Sequence, residues 1–456
     1  MKILYIIRSI GFIAYHESII EELSKRGHFV EILFDKKWST KRNAYKNSKH
    51  ALSWRNSSTG WLKRRDDLWR KILFPSRELL TYIYYCKQKS YPGFYLKRWE
   101  GYQPRILRFL FRLSLIKRYI TSNFIERVLH SLEKSAPPDS QIMKELIGKK
   151  PHVVVASPVN MRYSEEVEYI KAANALNIPT VIAIHSWDNL TTKGLFHVRP
   201  GTFLAWNSIH KKELTQIHKV SSSLIKIMGA PLFDKWFTIG KKIQTRKQFF
   251  GKLGIKEGQQ YIIYLGSSAN IAFDETWLVK NLAREIAKSP NQEIRNLILL
   301  VRPHGANQEI FKQIKLRNVK VLFRSFEIAD TKEAIEEFCL SLKYAICSIG
   351  INTSAMIDAV IIGKPVIALR PHEYERTNAI KALHFQYLLK KNIYLQANTI
   401  GQAIAHIKRI EKMGNELKKS QNLFIRNYIQ PYGLNTSAGE AASDIIESLR
   451  MINEKN

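Results

Sequence analysis

Cysteine and acidic residues are the two scarce groups in this sequence. The 456 residues include 3 cysteines, and Cys86, Cys339 and Cys347 lack the spacing of a redox motif or a metal site. Asp and Glu number 39 against 72 Lys and Arg, which leaves a formal charge of +33. Such an excess of cations favours polyanionic partners: nucleic acids, anionic lipids or phosphorylated substrates. The few cysteines favour a reducing cytoplasm, where disulfides are rare.

Long apolar runs are also missing. The opening MKILYIIRS does not read as a secretory signal, because Arg8 interrupts its apolar run. A membrane-spanning helix needs about 20 consecutive apolar residues. The best stretch, 344–363, contains Asn352 and Asp358. We therefore expect a cytoplasmic protein, and we expect any membrane contact to be peripheral, on the inner face of the plasma membrane.

The positive charge is concentrated between residues 36 and 127. This segment holds 23 Lys or Arg, 5 Asp or Glu and five of the nine tryptophans. One interpretation is a basic helical insertion whose aromatic side chains pack on the domain. The other is a surface for anionic membrane or a lipid-linked acceptor, since Trp and Tyr beside Lys and Arg suit the headgroup zone. No zinc pattern, basic zipper or RNA-recognition signature accompanies the charge, which disfavours nucleic acid as a partner.

The remainder of the chain alternates between strand-like and helix-like segments. The first 34 residues read as strand, helix and strand, and a second alternating unit with five predicted strands begins at Tyr261. This alternation predicts an α/β protein with two Rossmann-like domains, each a doubly wound parallel sheet. We place the first domain at residues 1–235 with the insertion at 36–127, the second at 236–435, and at 436–456 a helix that crosses back to the first domain.

Polar turns follow three predicted strands of the second domain. The segment 348–366, SIGINTSAMIDAVIIGKPV, runs from a buried strand through a polar turn into a helix start, where N–H groups and the helix dipole favour a phosphate. Glycine lets the main chain approach a ligand, and arginine suits bidentate phosphate contact. The alternative is that the turn residues merely cap the helix. The predicted donor-binding residues are Gly266, Ser267, Ser268, Arg302, His304, Asn352, Thr353, Ser354 and Asp358.

Candidates for a general base lie in the first domain. His185 and Asp188 follow a predicted strand, and His16 begins the first helix. We expect these three side chains at the same edge of the sheet, where His or Asp deprotonates an acceptor hydroxyl when suitably placed. The alternative is a structural loop anchored by a tryptophan. No metal is expected, because Asp66-Asp67 does not follow a strand and no other cluster has ligand spacing.

These motifs resemble GT-B glycosyltransferases. The turn RGHFV (26–30), the exit GAPLFD (229–234) and the segment GINTSAMIDAVIIGKPVIAL (350–369) are similar to segments of that superfamily. The pieces SWDNLTTKG (186–194) and LHFQYLL (383–389) resemble bacterial GT-B-like proteins of surface-polysaccharide synthesis. The resemblance implies the GT-B arrangement, a nucleotide-sugar donor on the second domain, an acceptor on the first, and metal-independent transfer without a cofactor.

The resemblance predicts a glycosyltransferase that moves a sugar from a nucleotide-activated donor to a saccharide or lipid-linked acceptor in cell-surface polysaccharide synthesis. Departures leave other functions open. Gly350 stands where many retaining members have the first Glu of a Glu-x7-Glu pattern. UDP-N-acetylglucosamine 2-epimerases share the fold. CDP-glycerol-type glycerophosphotransferases share a basic residue followed by His, although Gly305 replaces their Pro. A non-catalytic nucleotide-binding assembly protein is the last alternative.

Overall fold

Short strands of three to six residues, most of them apolar runs, form two parallel sheets in the computed structural model. The structure describes residues 1–40, 54–88, 91, 93–239, 245–256, 258–269, 271–323, 332–377 and 381–453. The chain divides into two compact units. The first unit consists of Met1–Asp234 and Tyr428–Asn456, and the second of Lys235–Asn427.

The first unit contains a seven-stranded sheet within the described residues. Its strands are Lys2–Ile7 (β1), Phe29–Phe34 (β2), Ser57–Trp61 (β3), Val153–Ser157 (β4), Thr180–Ala183 (β5), Thr202–Ala205 (β6) and Ile225–Ile227 (β7). They are parallel, in the order β3-β2-β1-β4-β5-β6-β7. The order reverses between β1 and β4. Open α/β sheets bind ligands beyond the carboxyl ends of the strands at such a switch point.

Helices lie on both sides of this sheet. The α-helices are Glu17–Lys25, Lys36–Thr40, Leu68–Lys87, Gly93–Gly101, Arg105–Leu110, Ser114–Ile120, Asn123–Ser135, Ser140–Lys149, Glu166–Ala175, Asn189–Thr192, Ser208–Gln216 and Ala438–Asn453, and the 3-10 helices are Ile10–Tyr15, Ser222–Leu224 and Pro231–Phe233. The helix Glu17–Lys25 shows why they pack: Ile19, Ile20 and Leu23 share one face at helical spacing and are buried.

The last helix, Ala438–Asn453, is tied to the first unit. The carboxylate of Asp234 accepts hydrogen bonds from the N–H groups of Ala438 and Gly439 at 3.1 and 2.9 Å, which satisfies donors at the helix start. Arg26 donates to Asp444 at 2.6 Å. A Cβ atom at Gly439 would lie 2.4 Å from the carbonyl oxygen of Ser18. The last helix therefore approaches the helix Glu17–Lys25 more closely than any other residue type at 439 would allow.

The segment predicted as a helical insertion needs a correction. Residues 57–61 form the edge strand β3, which pairs in parallel with β2. The sequence SSTGW carries almost no apolar side chains, so its strand character comes from main-chain pairing rather than from a periodic pattern. Residues 41–53 of the predicted insertion lie outside the described residues.

The aromatic side chains of the following helices form a core of their own. This buried cluster contains Tyr82, Tyr85, Tyr95, Trp99 and Phe111. The rings of Tyr82 and Phe111 stack at 4.6 Å between centroids. The sequence interpretation has the aromatic side chains of the segment pack on the domain, whereas these five are buried in a cluster formed within the inserted helices.

The second unit contains a six-stranded parallel sheet within the described residues. Its strands are Tyr261–Leu265 (β8), Ile298–Arg302 (β9), Val319–Val321 (β10), Ser348–Gly350 (β11), Val366–Leu369 (β12) and Leu395–Ala397 (β13), in the order β10-β9-β8-β11-β12-β13. The order reverses between β8 and β11. Its helices are Lys235–Thr238, Arg246–Leu253, Thr276–Ala287, Gln292–Arg295, Lys332–Lys343, Ala355–Ile361, Leu383–Lys390 and Ile400–Phe424, with 3-10 helices Gly305–Gln313 and His372–Thr377 and a π-helical turn Ile425–Ile429 at the unit boundary.

The prediction of two doubly wound parallel sheets is confirmed, with corrections in detail. The second sheet has a sixth strand, β13, and the first has β7, each three residues long. Strands this short give almost no periodic signal. Residues 305–313 form the 3-10 helix Gly305–Gln313, which contains the non-helical residue Asn307. No helix of the described residues is both long and apolar enough to cross a membrane.

Candidate functional site

The turns after β8, β9 and β11 meet at the switch point of the second sheet. The main-chain N–H of Asn352, after β11, donates to Ser267 Oγ, after β8, at 3.5 Å. Gly266 donates its N–H to the Arg302 carbonyl at 2.9 Å. A Cβ atom at Gly266 would lie 3.0 Å from the main-chain nitrogen of His304. The structure therefore brings together the three turns that the sequence predicts for donor binding.

Glu275 supports the first of these turns. Its carboxylate accepts a hydrogen bond from the N–H of Ser267 at 2.9 Å, and both residues are buried. The carbonyl of Ser268 accepts from Ile271 and Ala272 at 2.8 and 3.1 Å, which closes the turn. Burial raises the pKa of Glu275 to about 7. The turn is thus held by a carboxyl group that sequence analysis did not single out.

The segment after β11 leads directly into the helix Ala355–Ile361. Ser354 is the residue before this helix, and its side chain makes no capping hydrogen bond. The carbonyl of Thr353 accepts from Met356 at 3.0 Å. Simple capping by the Ser354 hydroxyl, the alternative to a ligand role, is therefore not observed.

Asp358 lies in the first turn of that helix and is almost fully buried. The indole N–H of Trp236 donates to its carboxylate at 2.6 Å. Burial raises the pKa of Asp358 to about 6, and the charges of Lys235 and Arg302 and the Trp236 hydrogen bond oppose this rise. At neutral pH the group is therefore mainly a carboxylate, which can accept hydrogen bonds from hydroxyl groups.

Arg302 ends β9 beside these groups. The centre of its guanidinium lies 3.8 Å from the ring centroid of Phe338, a cation–π contact. A guanidinium held over a ring loses little freedom when it binds a phosphate in bidentate fashion. Arg302 therefore stands at the carboxyl end of β9, and its contact with a donor phosphate stays a prediction.

In the first unit, His16 and His185 come together. The hydroxyl of Tyr5 and His16 Nδ1 lie 3.0 Å apart, and His16 Nε2 is 3.5 Å from His185 Nδ1. The rings of Phe12 and Tyr15 lie 4.4 and 4.0 Å from the His185 ring. Burial lowers the pKa of His16 to about 3 and that of His185 well below its usual range. Both imidazoles are therefore neutral and weakly basic at pH 7.

Asp188 lies near this pair, at the start of the short helix Asn189–Thr192. Its Oδ1 accepts from the Ser186 hydroxyl at 2.5 Å, and its Oδ2 accepts from Thr192 Oγ1 at 3.0 Å and Lys193 Nζ at 3.2 Å. Both carboxylate oxygens thus have partners. The three predicted residues occupy one region, but each is engaged in local interactions.

Buried charges gather at the switch point of the first sheet. Arg8 follows β1, and its main-chain N–H donates to the carbonyl of Ser157, the last residue of β4, at 3.2 Å. Burial lowers the pKa of Arg8, and nearby carboxylates oppose this change. These carboxylates belong to Glu166, Asp35, Glu78 and Glu165. Several buried charges are tolerated only when cations and carboxylates pair with one another. These charges lie at the edge of the sheet where a parallel sheet binds its ligand.

Two of these carboxyl groups have raised pKa values. Burial raises the pKa of Glu78 to about 7; its Oε1 accepts from the N–H of Tyr163 at 2.8 Å, and its Oε2 is buried without a hydrogen-bond partner among the described residues. Burial also raises the pKa of Glu166, whose carboxylate accepts from the Ser164 hydroxyl. A carboxyl group that exchanges its proton near pH 7 is suited to general acid–base catalysis.

Glu78 also lines a cavity between the helices Leu68–Lys87 and Gly93–Gly101 and the segment after β4. Trp99 and His197 line the same cavity. Trp99 Nε1 and His197 Nδ1 are buried and, within the described part of the chain, make no hydrogen bond. Unsatisfied polar atoms of this kind are suited to an ordered water.

Sequence analysis did not predict these buried charges of the first unit, although some of them gave a signal. Arg8 and Asp35 directly follow β1 and β2, so their positions at strand ends were a readable signal. Glu78 gave no such signal, because it comes from the inserted helix Leu68–Lys87 and reaches the sheet edge only in the folded chain. Across the described residues, no cluster of His, Cys, Asp and Glu would hold a metal ion.

Comparisons with known proteins show the fold. No protein-family model matches the sequence, and no curated protein does. The UDP-GlcNAc 2-epimerase of Methanocaldococcus jannaschii, solved with UDP-GlcNAc and UDP, is similar with a TM-score of 0.53 at 15% identity over 98% of this chain and 100% of that one. The Neisseria meningitidis UDP-GlcNAc 2-epimerase bound to UDP-GlcNAc gives 0.55 at 14% identity over 98% and 99% of the two chains. A glycosyltransferase from Rickettsia africae gives 0.53 at 10% identity over 100% and 99%. The fold is therefore GT-B-like.

Proposed function

We propose that this protein is an enzyme acting on a nucleoside-diphosphate sugar, and that it epimerises the sugar. The second unit would bind the nucleotide: Arg302 contacts phosphate, the turns at Ser267 and Asn352 border the phosphate position, and Asp358 accepts from ribose hydroxyls. The meeting of three polar turns at a sheet switch point supports this assignment. The similar epimerase structures bound to UDP-GlcNAc make a UDP-sugar the first ligand to test.

The carboxyl group of Glu78, buried near Arg8 at the switch point of the first sheet, supports the choice of epimerisation. Inverting a carbon that bears a hydrogen by proton transfer requires one group to remove the proton and a group to return it. Glu78, with a pKa of about 7, serves either role near neutral pH. Glu166, whose pKa burial also raises, is the second candidate. His16 and His185 are less suited, because their pKa values lie far below 7.

Glycosyl transfer to a saccharide or lipid-linked acceptor in cell-surface polysaccharide synthesis is the second candidate. The observation in its favour is that His16, His185 and Asp188 lie in one region of the first unit. In that case His16 or Asp188 would deprotonate the acceptor hydroxyl, and the enzyme would work in the cytoplasm at the membrane face. The glycosyltransferase among the similar structures is consistent with this reaction.

The deciding experiment incubates the protein with UDP-N-acetylglucosamine in D₂O without any acceptor and follows the sugar by NMR. Epimerisation incorporates deuterium at the inverted carbon. Glu78→Gln should reduce this rate by about 10²–10⁴-fold, the usual contribution of a general acid or base. Glu100→Gln, a change at a carboxylate that is 38% exposed, is the matched control and should leave the rate unchanged.

Other outcomes would redirect the assignment. Turnover that appears only when a saccharide or lipid-linked acceptor is added would support transfer. Stabilisation by CDP or CDP-glycerol alone, in a thermal-shift panel of UDP, GDP, CDP and dTDP compounds, would favour glycerophosphate transfer. Binding of a nucleotide without turnover of any donor would favour a non-catalytic assembly protein. No shift with any nucleotide would refute the donor site.

A further inference from the structure

An apolar surface lies on the inserted helices of the first unit. The helices Arg105–Leu110 and Ser114–Ile120 bury none of their residues. Ile106, Phe109, Leu115, Tyr119 and, on the next helix, Phe124 each expose between 58% and 80% of their surface. We refer to the exposed side chains of residues 105–128 as the 105–128 surface. Large apolar side chains gathered at this density mark an interaction site rather than ordinary exposure.

The opposite side of these helices is anchored. Phe111 is buried and stacks on Tyr82 at 4.6 Å. Leu107 and Ile120 pack against the same aromatic cluster. The exposed side chains therefore belong to a segment with a definite position, and they point away from the core that holds it.

The same surface is cationic. Arg105, Arg108, Arg112, Arg118 and Arg127 are all exposed. Between residues 101 and 128 the sequence has a single acidic residue, Glu126, and it pairs with Lys87. Apolar side chains interleaved with arginines suit the boundary between headgroups and acyl chains, where each group finds a favourable environment.

We propose that the 105–128 surface docks this protein onto a bilayer that contains anionic phospholipids. The aliphatic and aromatic side chains enter the interface, and the arginines contact lipid phosphates. A second copy of the chain fits less well, because a twofold interface would place the same arginines opposite one another. Nucleic acid fits less well. The aromatic side chains of the surface are able to stack on bases, but Ile106 and Leu115, which are at least as exposed, offer neither stacking nor hydrogen bonds, whereas a bilayer interface accommodates aliphatic and aromatic side chains alike.

The test is flotation of the full-length chain with vesicles. Vesicles of phosphatidylglycerol and phosphatidylethanolamine should carry the protein, and vesicles of phosphatidylcholine should carry far less. The variant R108E/R112E/R118E should lower binding by roughly a hundredfold or more, since each cation near an anionic surface contributes about fivefold. Phe109→Ser with Leu115→Ser should lower binding even at low salt.

Matched control variants distinguish binding through the 105–128 surface from an effect of the protein's net positive charge. The variant K212E/K247E/K252E reverses three exposed lysines elsewhere, and Leu423→Ser changes a side chain that is 61% exposed. Both should bind vesicles nearly as well as the parent chain. Circular dichroism should be unchanged in every variant, because none of the altered side chains is buried.

Three results would overturn the proposal. The first is equal binding of the parent chain and R108E/R112E/R118E to anionic vesicles. The second is a parent dimer that F109S/L115S dissociates without any vesicle binding. The third is binding of a labelled oligonucleotide, lost in the charge variant, by a chain that ignores vesicles. Turnover of a soluble nucleotide sugar should be the same in all variants, so this test and the test of the proposed function fail independently.

Discussion

The carboxylate of Glu275 accepts a hydrogen bond from the main-chain N–H of Ser267 at 2.9 Å. Ser267 in turn accepts from the N–H of Asn352 through its hydroxyl. One buried carboxyl group from the start of a helix therefore supports two of the turns at the switch point of the second sheet. Its pKa of about 7, raised from 4.5 by burial, makes this support dependent on pH.

Glu275→Gln should remove part of the pH dependence of stability. The native state holds the Glu275 proton up to about pH 7, whereas the unfolded state loses it near 4.5, so stability falls as pH rises through this window. A shift of this size corresponds to roughly 3 kcal/mol. The glutamine keeps an acceptor for Ser267 without ionising. The difference in melting temperature between variant and parent should grow from pH 4.5 to 7.5, and Glu293→Gln, an exposed control, should show no such trend.

Arg302→Ala should weaken binding of a nucleoside-diphosphate sugar by about 10–100-fold, the usual cost of a lost hydrogen bond to a charged group. Isothermal titration calorimetry measures this change, and circular dichroism checks the fold. Arg302→Lys is the matched control: it keeps the charge but not the planar fork, and should recover only part of the affinity. Parent-like affinity in Arg302→Ala would remove Arg302 from the site.

Affinity for a UDP-sugar should fall as the pH decreases through about 6. Protonation of Asp358, whose pKa burial raises to about 6, converts an acceptor for ribose hydroxyls into a donor. Trp236→Phe removes the N–H that stabilises the carboxylate and should move the midpoint to higher pH. Asp358→Asn should abolish the midpoint altogether. A titration curve that is identical in all three proteins would contradict the role of Asp358.

Gly439→Ala should destabilise the protein although alanine favours helices. The added Cβ would lie 2.4 Å from the main-chain oxygen of Ser18, so the helices Glu17–Lys25 and Ala438–Asn453 must separate. Overpacking of this kind costs about 1–3 kcal/mol. Gly414→Ala is the matched control, because nothing lies within 4 Å of its Cβ position in the helix Ile400–Phe424. It should stabilise by about 0.5–1 kcal/mol in urea unfolding.

Most of the fold was predictable from local pattern. Buried runs such as Tyr261–Leu265 and Val153–Ser157 are continuous apolar stretches bounded by turn residues, which is the signature of a central parallel strand. Ser57–Trp61 and Leu395–Ala397 escaped prediction, because edge strands are stabilised by pairing with a neighbour rather than by their own side chains.

The sequence predicted the turns of the candidate site but not the side chains from other elements that contact the site residues. Gly266 and Asn352 follow strands and Arg302 ends one, and the turns that follow parallel strands lie at one edge of the sheet. Trp236, Phe338 and Glu275 act on those turns from other elements, and their proximity appears only after folding.

Local sequence pattern is sufficient to predict the central strands of the two parallel sheets and the turns at their carboxyl edges, because apolar runs indicate the strands and the helices that connect successive strands make them parallel. The sequence by itself also determined the concentration of positive charge in the first unit. The tertiary structure was needed to show which charges are buried together, such as those of Glu78 and Arg8. It was also needed to show which apolar side chains are exposed, such as Phe109, close in sequence to the buried Phe111. The physical reason is that the burial and the pKa of a side chain depend on contacts with residues far away in the sequence, and a local sequence pattern does not reveal those contacts.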